Sequence, residues 1–277
     1  MKTELRTTES GRVLWLTDGR TDLGVALDHG IRIAHLSCAG MQNLCYRQPT
    51  DLSDGLCTPQ GWRVYGGHRF WIAPEGEDSY YPDNDPVSCD LLPDGVTVTQ
   101  KDDPQLAVRK SMTLRFLPSG ELEVTHRVTN LGQKREMALW GVTTLAGGTA
   151  EVSFAHDGTS EYNPTRSVAL WGETSLGDPR LRFTKESLRA TFLPGETAYL
   201  KVGVWSAAGV ARARNFGQEL TVRFSAKGSS ADYEDRGCNA ELYLDAHVLE
   251  LETLGRRVTL AHGESADMTE HWSLRAL

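Results

Sequence analysis

The chain has no surplus of basic residues. Its 29 Lys and Arg stand against 37 Asp and Glu, a net charge of −8. That balance argues against nucleic acid or an anionic membrane surface as the main partner, since both are gripped by clustered cations. No apolar run approaches the ~20 residues that a membrane span needs. The opening segment, "MKTELRTTESGRVLW", carries charges where a secretion signal would carry its apolar stretch, so no such signal is expected. Cysteine is scarce, with five residues at 38, 45, 57, 89 and 238 and no C-x-x-C pair. An odd, scattered set is neither a disulfide framework nor a zinc module. It fits a reducing cytoplasm in which each thiol is a small, buried, inert side chain.

Familiar reaction motifs are missing too. There is no G-x-G-x-x-G, Walker loop, H-E-x-x-H or G-x-S-x-G, so nucleotide, zincin and serine-hydrolase chemistry lack their usual support. "HGE" at 262–264 imitates part of a zinc deaminase signature without its P-C-x-x-C partner. "NPT" at 163–165 is no glycosylation acceptor, because proline holds the middle position. No cofactor and no metal are expected.

Helical periodicity is nearly absent; "GVARARNFG" (209–217) reads as at best a short helical turn. Period two dominates instead. In 111–130, Met112, Leu114 and Phe116 share one face, Pro118-Ser119-Gly120 turn the chain, and Leu122, Val124 and Val128 share a face on the return. This predicts a β-hairpin, with His126 on the apolar parity as a hydrogen-bonded core histidine. Similar runs recur as "GVTVTQ", "MALWGVTTL", "LRATFLPGETAYLKVGVW", "ELTVRFS", "AELYLDAHVLELETL" and "RVTLAHGE". Many short strands with Gly, Pro, Asn and Asp between them predict an all-β sandwich or barrel, and no linker divides residues 1–277, so one domain is expected.

Two stretches carry candidate chemistry. "YGGHRFWIAPEGEDSYYPDNDP" (65–86) gathers His68, Arg69, Phe70, Trp71, Glu75, Tyr80 and Tyr81. Carboxylates and arginine suit sugar hydroxyls, aromatic rings suit the apolar face of a sugar, and Gly66-Gly67 would let backbone approach a ligand. The plain alternative is a strand, "RVYGGHRFWIA", with core aromatics, followed by a solvated acidic loop. A calcium site from Glu75, Glu77, Asp78, Asp83 and Asp85 has no loop signature behind it. The second stretch alternates Glu241, Tyr243 and Asp245 with Leu242 and Leu244, then Glu250 and Glu252 with Leu249 and Leu251. Each strand has a carboxylate face, either solvated or lining a concave cleft with general-base candidates.

These residues resemble the galactose-mutarotase-like (aldose 1-epimerase-like) superfamily, and within it a bacterial family carrying a GG-[HD]-R-x-W-x-[AS]-P-[EQ] segment. "GVALDHGIRIAHLSCAGMQNLCY", with Gly40 and Asn43, "VTNLGQKREMALWGVTTL" and "LELETLGRRVTLAHGESADMTEHWSL" extend the similarity along the chain. The resemblance implies a β-supersandwich, mostly antiparallel with few short helices, whose concave face binds a small-molecule carbohydrate. It also implies a cofactor-free epimerase, in which a glutamate takes the anomeric proton and a histidine protonates the ring oxygen. It places Glu252 as base, with Glu250 beside it, and Arg69 on sugar hydroxyls. Trp71, Glu75, Trp140 and Glu241 would join the binding set. Where epimerases carry the acid histidine, this chain has Trp140, so His68 is the substitute acid if it stands opposite Glu252. The alternatives are a sugar-binding or sensor protein without the acid, or a lyase or isomerase acting on a sugar derivative. Arg69 with Arg63 or Arg166 could hold one phosphate. The sequence leaves oligomeric state open.

Overall fold

A computed structural model describes residues 1–49, 57–154, 162 and 165–277. Asn163 and Pro164, the centre of the "NPT" motif, lie outside the described residues. Two antiparallel sheets account for almost all regular structure. The first runs, in spatial order, β1 (Lys2–Thr8), β2 (Gly11–Thr17), β3 (Thr21–Ala26), β4 (Arg32–Cys38), β5 (Gly67–Ala73), β10 (Arg135–Leu145), β19 (Leu249–Leu254), β18 (Ala240–Leu244), β15 (Leu200–Val204) and β12 (Val168–Leu170), with β20 (Val258–Leu260) on β10. The second runs β13 (Leu181–Phe183), β14 (Ser187–Thr191), β11 (Thr149–Ser153), β16 (Val210–Asn215), β17 (Gln218–Arg223), β21 (Ser265–Ala276), β9 (Leu122–Asn130), β8 (Val108–Phe116), β7 (Gly95–Thr99) and β6 (Ser88–Leu92). Two short 3-10 turns, Glu77–Tyr80 and Ser230–Asp232, are the helical content.

The period-two pattern explains the layers. The expected hairpin is β8–β9, closed by Phe116 opposite Leu122, with Gly120 at φ 87 in its turn. Met112, Leu114, Leu122, Val124 and Val128 point into the seam between the sheets, where they join one continuous apolar cluster. β5, β10 and β19 at the centre of the first sheet are buried on both faces. On one face Phe70, Ile72 and Leu139 enter the seam. On the other, Trp71, Ala73, Ala138, Trp140, Val142 and Leu254 form a second cluster with Trp62 and Val64.

Residues 209–217 differ from expectation. They contain β16, a strand, because Ala211 and Ala213 alternate inward while Arg212 and Arg214 turn outward. Small residues hid a period of two that larger apolar ones would have shown. The predicted strand 63–73 is also shorter than expected. Gly66 and Gly67 have φ of 96 and 77, which breaks extended geometry, and β5 starts at Gly67. Of the cysteines, Cys45 and Cys238 are buried as predicted, while Cys38, Cys57 and Cys89 are partly exposed.

Candidate functional site

Register builds a cavity on the outer face of the first sheet. Trp71 pairs with Trp140, and Arg69 with Val142, across β5–β10. Val142 and Thr144 lie opposite Glu252 and Glu250 on β19, which face Glu241 and Tyr243 on β18. Tyr243 lies opposite Lys201 on β15. Alternation therefore turns all of these side chains to one side. Of these, Arg69, Trp71, Trp140, Lys201, Tyr243, Glu250 and Glu252 line a cavity of about 310 Å³, with Trp62, Glu75, Tyr80, Trp171, Tyr199 and Asp245 completing its wall.

Lys201 is the electrostatic centre of the site. Its Nζ lies 2.9 Å from Glu241 Oε2, 3.1 Å from Glu252 Oε2 and 3.7 Å from Glu75 Oε2. It also sits over the rings of Trp140 and Trp171, at 4.6 and 5.0 Å. Burial opposes its charge, but Glu252, Glu241 and Glu75 override that and raise its pKa, so it stays an ammonium. Burial likewise raises the carboxyls of Glu241 and Glu252, and their neighbouring carboxylates add to it, while Lys201 offsets only part. Each of these two buried acids therefore holds a proton more tightly than a solvated glutamate does.

Trp140 Nε1 donates to Glu252 Oε2 at 2.9 Å. Trp140 thus holds the carboxyl of Glu252, the glutamate expected to act as base, in one orientation. Arg69 Nη1 donates to Glu250 Oε1 at 3.0 Å and to Thr144 Oγ1 at 2.8 Å, and Thr144 donates to Glu250 at 2.6 Å. Its guanidinium lies 4.6 Å from the Trp71 ring and 5.7 Å from that of Trp62. Arg69 Nε is buried without a hydrogen-bond partner. Trp62, Trp71, Tyr80 and Trp140 meet mostly edge to face, with centroids 5.1 to 5.5 Å apart, so the rings hold one another upright. Tyr80 donates to Glu75 at 2.5 Å from the 3-10 turn of the acidic loop, and both side chains line the cavity.

The structure therefore brings Arg69, Trp71, Glu75, Trp140, Glu250 and Glu252 to one cavity. Two expected members are not on its wall. Glu241 is fully buried behind Lys201, which stands between it and the cavity. His68 is the larger correction. One residue before Arg69, it points to the other face of β5 and enters the seam between the sheets. There its Nε2 meets His126 Nε2 at 2.7 Å and its Nδ1 meets Thr143 Oγ1 at 2.9 Å. Burial and the nearby His126 and Arg69 drive its pKa well down. His68 does not stand opposite Glu252, and no histidine lines the cavity among the described residues.

His126 is the core histidine expected, fully buried, with its Nδ1 3.2 Å from the Met268 carbonyl. Glu270 completes this seam cluster: Trp272 Nε1 donates to its Oε2 at 2.7 Å, and Thr253 donates to its Oε1. The calcium set does not converge. Glu75 serves Tyr80, Asp83 pairs with Arg32 at 2.8 Å, and Asp85 with Lys101 at 3.0 Å. Neither Arg63 nor Arg166 lines the cavity, and Arg69 is committed to Glu250, so the expected phosphate grip is not assembled.

Sequence reasoning missed Lys201, Trp62, Trp171 and Tyr199. Lys201 had a signal: in "LKVGVW" it is the one charge in a strand whose other positions are apolar or Gly, and β15 is buried throughout. The other three come from irregular segments, where no period marks orientation.

Neither a protein-family model nor a curated protein sequence matches the chain. Solved structures do. An aldose 1-epimerase candidate from Klebsiella pneumoniae superposes with a TM-score of 0.63 at 10% identity, over 98% of this chain and 83% of that one. A GalM/aldose epimerase homologue from C. elegans gives 0.55 at 9%, over the whole of both chains. A TPR-domain containing protein from Parabacteroides distasonis gives 0.60 at 13%, and there the chain, covered to 95%, spans only 47% of its neighbour. At such identities the likeness is one of architecture: the chain is an all-β sandwich with the fold of galactose mutarotase.

Proposed function

We propose that the protein binds a carbohydrate in the cavity of the first sheet. The observation that carries this is the pairing of four tryptophans, Trp62, Trp71, Trp140 and Trp171, with carboxylates fixed by Arg69 and Lys201 around one small cavity. Rings offer apolar faces to C–H groups, and pre-oriented carboxylates accept from hydroxyls. A volume of about 310 Å³ is at the small end of ligand sites and matches one sugar unit. The neighbours with epimerase names agree with a sugar ligand.

A second reading, epimerase catalysis, draws on Glu252. Its raised pKa makes it a better base than a solvated glutamate, and it faces the cavity. The acid is the weak point, because His68 is on the wrong face and burial raises the Tyr80 and Tyr243 hydroxyls away from useful acidity. Binding without catalysis is therefore the better supported form.

Saturation-transfer and anomer-exchange NMR on a panel of aldoses test both readings in one experiment. Binding that is lost in Trp140→Ala supports the proposal, and absence of binding to every sugar overturns it. Anomer exchange above the buffer rate, abolished by Glu252→Gln, would establish the second reading.

A further inference from the structure

A second cavity, of about 210 Å³, opens on the same sheet at β1–β4. Trp15 forms its floor, with the His35 ring 4.3 Å away and the Arg6 guanidinium stacked 3.9 Å above. Arg47 and the buried Arg32 also line it, and Arg32 Nε has no hydrogen-bond partner. No Asp or Glu lines this cavity among the described residues, whereas Glu75, Asp245, Glu250 and Glu252 line the first. The ion pairs of Arg6 with Glu4 and Arg47 with Glu9 are at the surface, with those carboxylates 62% and 85% exposed, so an incoming anion can replace them.

The two cavities are neighbours. Arg32 and Arg69 are register partners on β4 and β5, which puts both cavities on one face. Tyr46 lines the second cavity and packs against the aromatic cluster of the first. From β19, which carries Glu252, to β2, which carries Trp15, is five strand steps, roughly 24 Å at the usual strand spacing, several pyranose widths. A single sugar phosphate cannot span that distance.

We infer that the ligand is an acidic oligosaccharide, with one sugar in the first cavity and an anionic unit, carboxylate or sulfate ester, over Trp15 between Arg6 and Arg47. This rests on the carbohydrate reading above. Stacked arginine leaves its N–H edge open for bidentate recognition of such a group while its face stays on the indole.

The test is an array of neutral, uronate-containing and sulfated oligosaccharides of one to five units, followed by calorimetry of the tightest binder. The full chain, the Arg6→Gln/Arg47→Gln double variant and Trp15→Ala are compared, with circular dichroism to verify the fold. Affinity should rise with length and with the anion, and uronate against sulfate in the array identifies the group. The double variant should weaken the acidic binder by about tenfold while leaving the monosaccharide unchanged. Monosaccharides binding as tightly as longer acidic chains, or an acidic binder indifferent to both variants, would overturn the inference and leave the carbohydrate reading standing. No binding by any carbohydrate would remove both.

Discussion

Lys201 shows how one residue can decide whether a site exists at all. Among the described residues it is the one cation within 4 Å of Glu241, and both it and Arg69 are needed to hold the cavity's acids in place. Lys201→Met should destabilise the fold by about 3 kcal/mol, because it strands buried carboxylates rather than removing a neutral contact. The loss has a pH signature. Glu241 and Glu252 ionise at higher pH in the fold than in the unfolded chain, so the variant regains stability as pH falls and they take protons. Urea unfolding at pH 5 and pH 8 should show the larger deficit at pH 8, and Lys201→Met/Glu241→Gln should recover part of it. A deficit independent of pH would mean that packing, not charge, is what the lysine supplies. At this scale strand parity was plain for Glu250 and Glu252, which the sequence puts on one face and the structure turns to one cavity. Sequence reading failed where two adjacent residues had to be told apart: His68 and Arg69 are both polar and both buried, and composition does not say which of them faces the ligand.

β5 is the element on which that distinction turns. Its start is fixed by Gly66 and Gly67, where an added Cβ would lie 2.0 Å from the Tyr46 carbonyl oxygen and 2.2 Å from that of Ile33. Backbone therefore approaches backbone here, and chain geometry alone requires the pair. Gly67→Ala should cost about 2 kcal/mol or more in thermal or urea unfolding, from positive φ and the clash together. It should weaken sugar binding as well, since Arg69 and Trp71 follow within four residues. Strand existence was legible where large apolar residues alternate, as on β8 and β9, and was missed on β16, where alanines take their place. Sheet order was not legible: β5 lies beside β10, and β10 beside β19, through contacts far apart in sequence.

The two sheets meet over a polar knot that sequence did not announce, since Glu270 lies in "MTEHWSL" among ordinary alternation. Burial raises the Glu270 carboxyl to about 7, while it lowers His126 to about 4. The consequences have opposite signs. As pH rises from about 4.5 to about 7 the unfolded chain ionises Glu270 while the fold keeps it protonated, and on the order of 3 kcal/mol is lost, with little further change above 7. As pH falls below 6.5, the unfolded chain protonates His126 before the folded one does, and the fold weakens from that side. Glu270→Gln keeps an acceptor for Trp272 and cannot ionise. Its stability relative to the parent should therefore improve between pH 5 and 7 in urea titrations and then level off; a constant difference would contradict a buried, titrating Glu270. The alternation along β5 has a further consequence for descent. Arg69, Trp71 and Ala73 look toward whatever the cavity holds, while His68, Phe70 and Ile72 look toward the other sheet. Relatives of this chain should thus change at two tempos within one strand, positions 69 and 71 varying with what the cavity holds and 68, 70 and 72 moving only in step with β9 and β21.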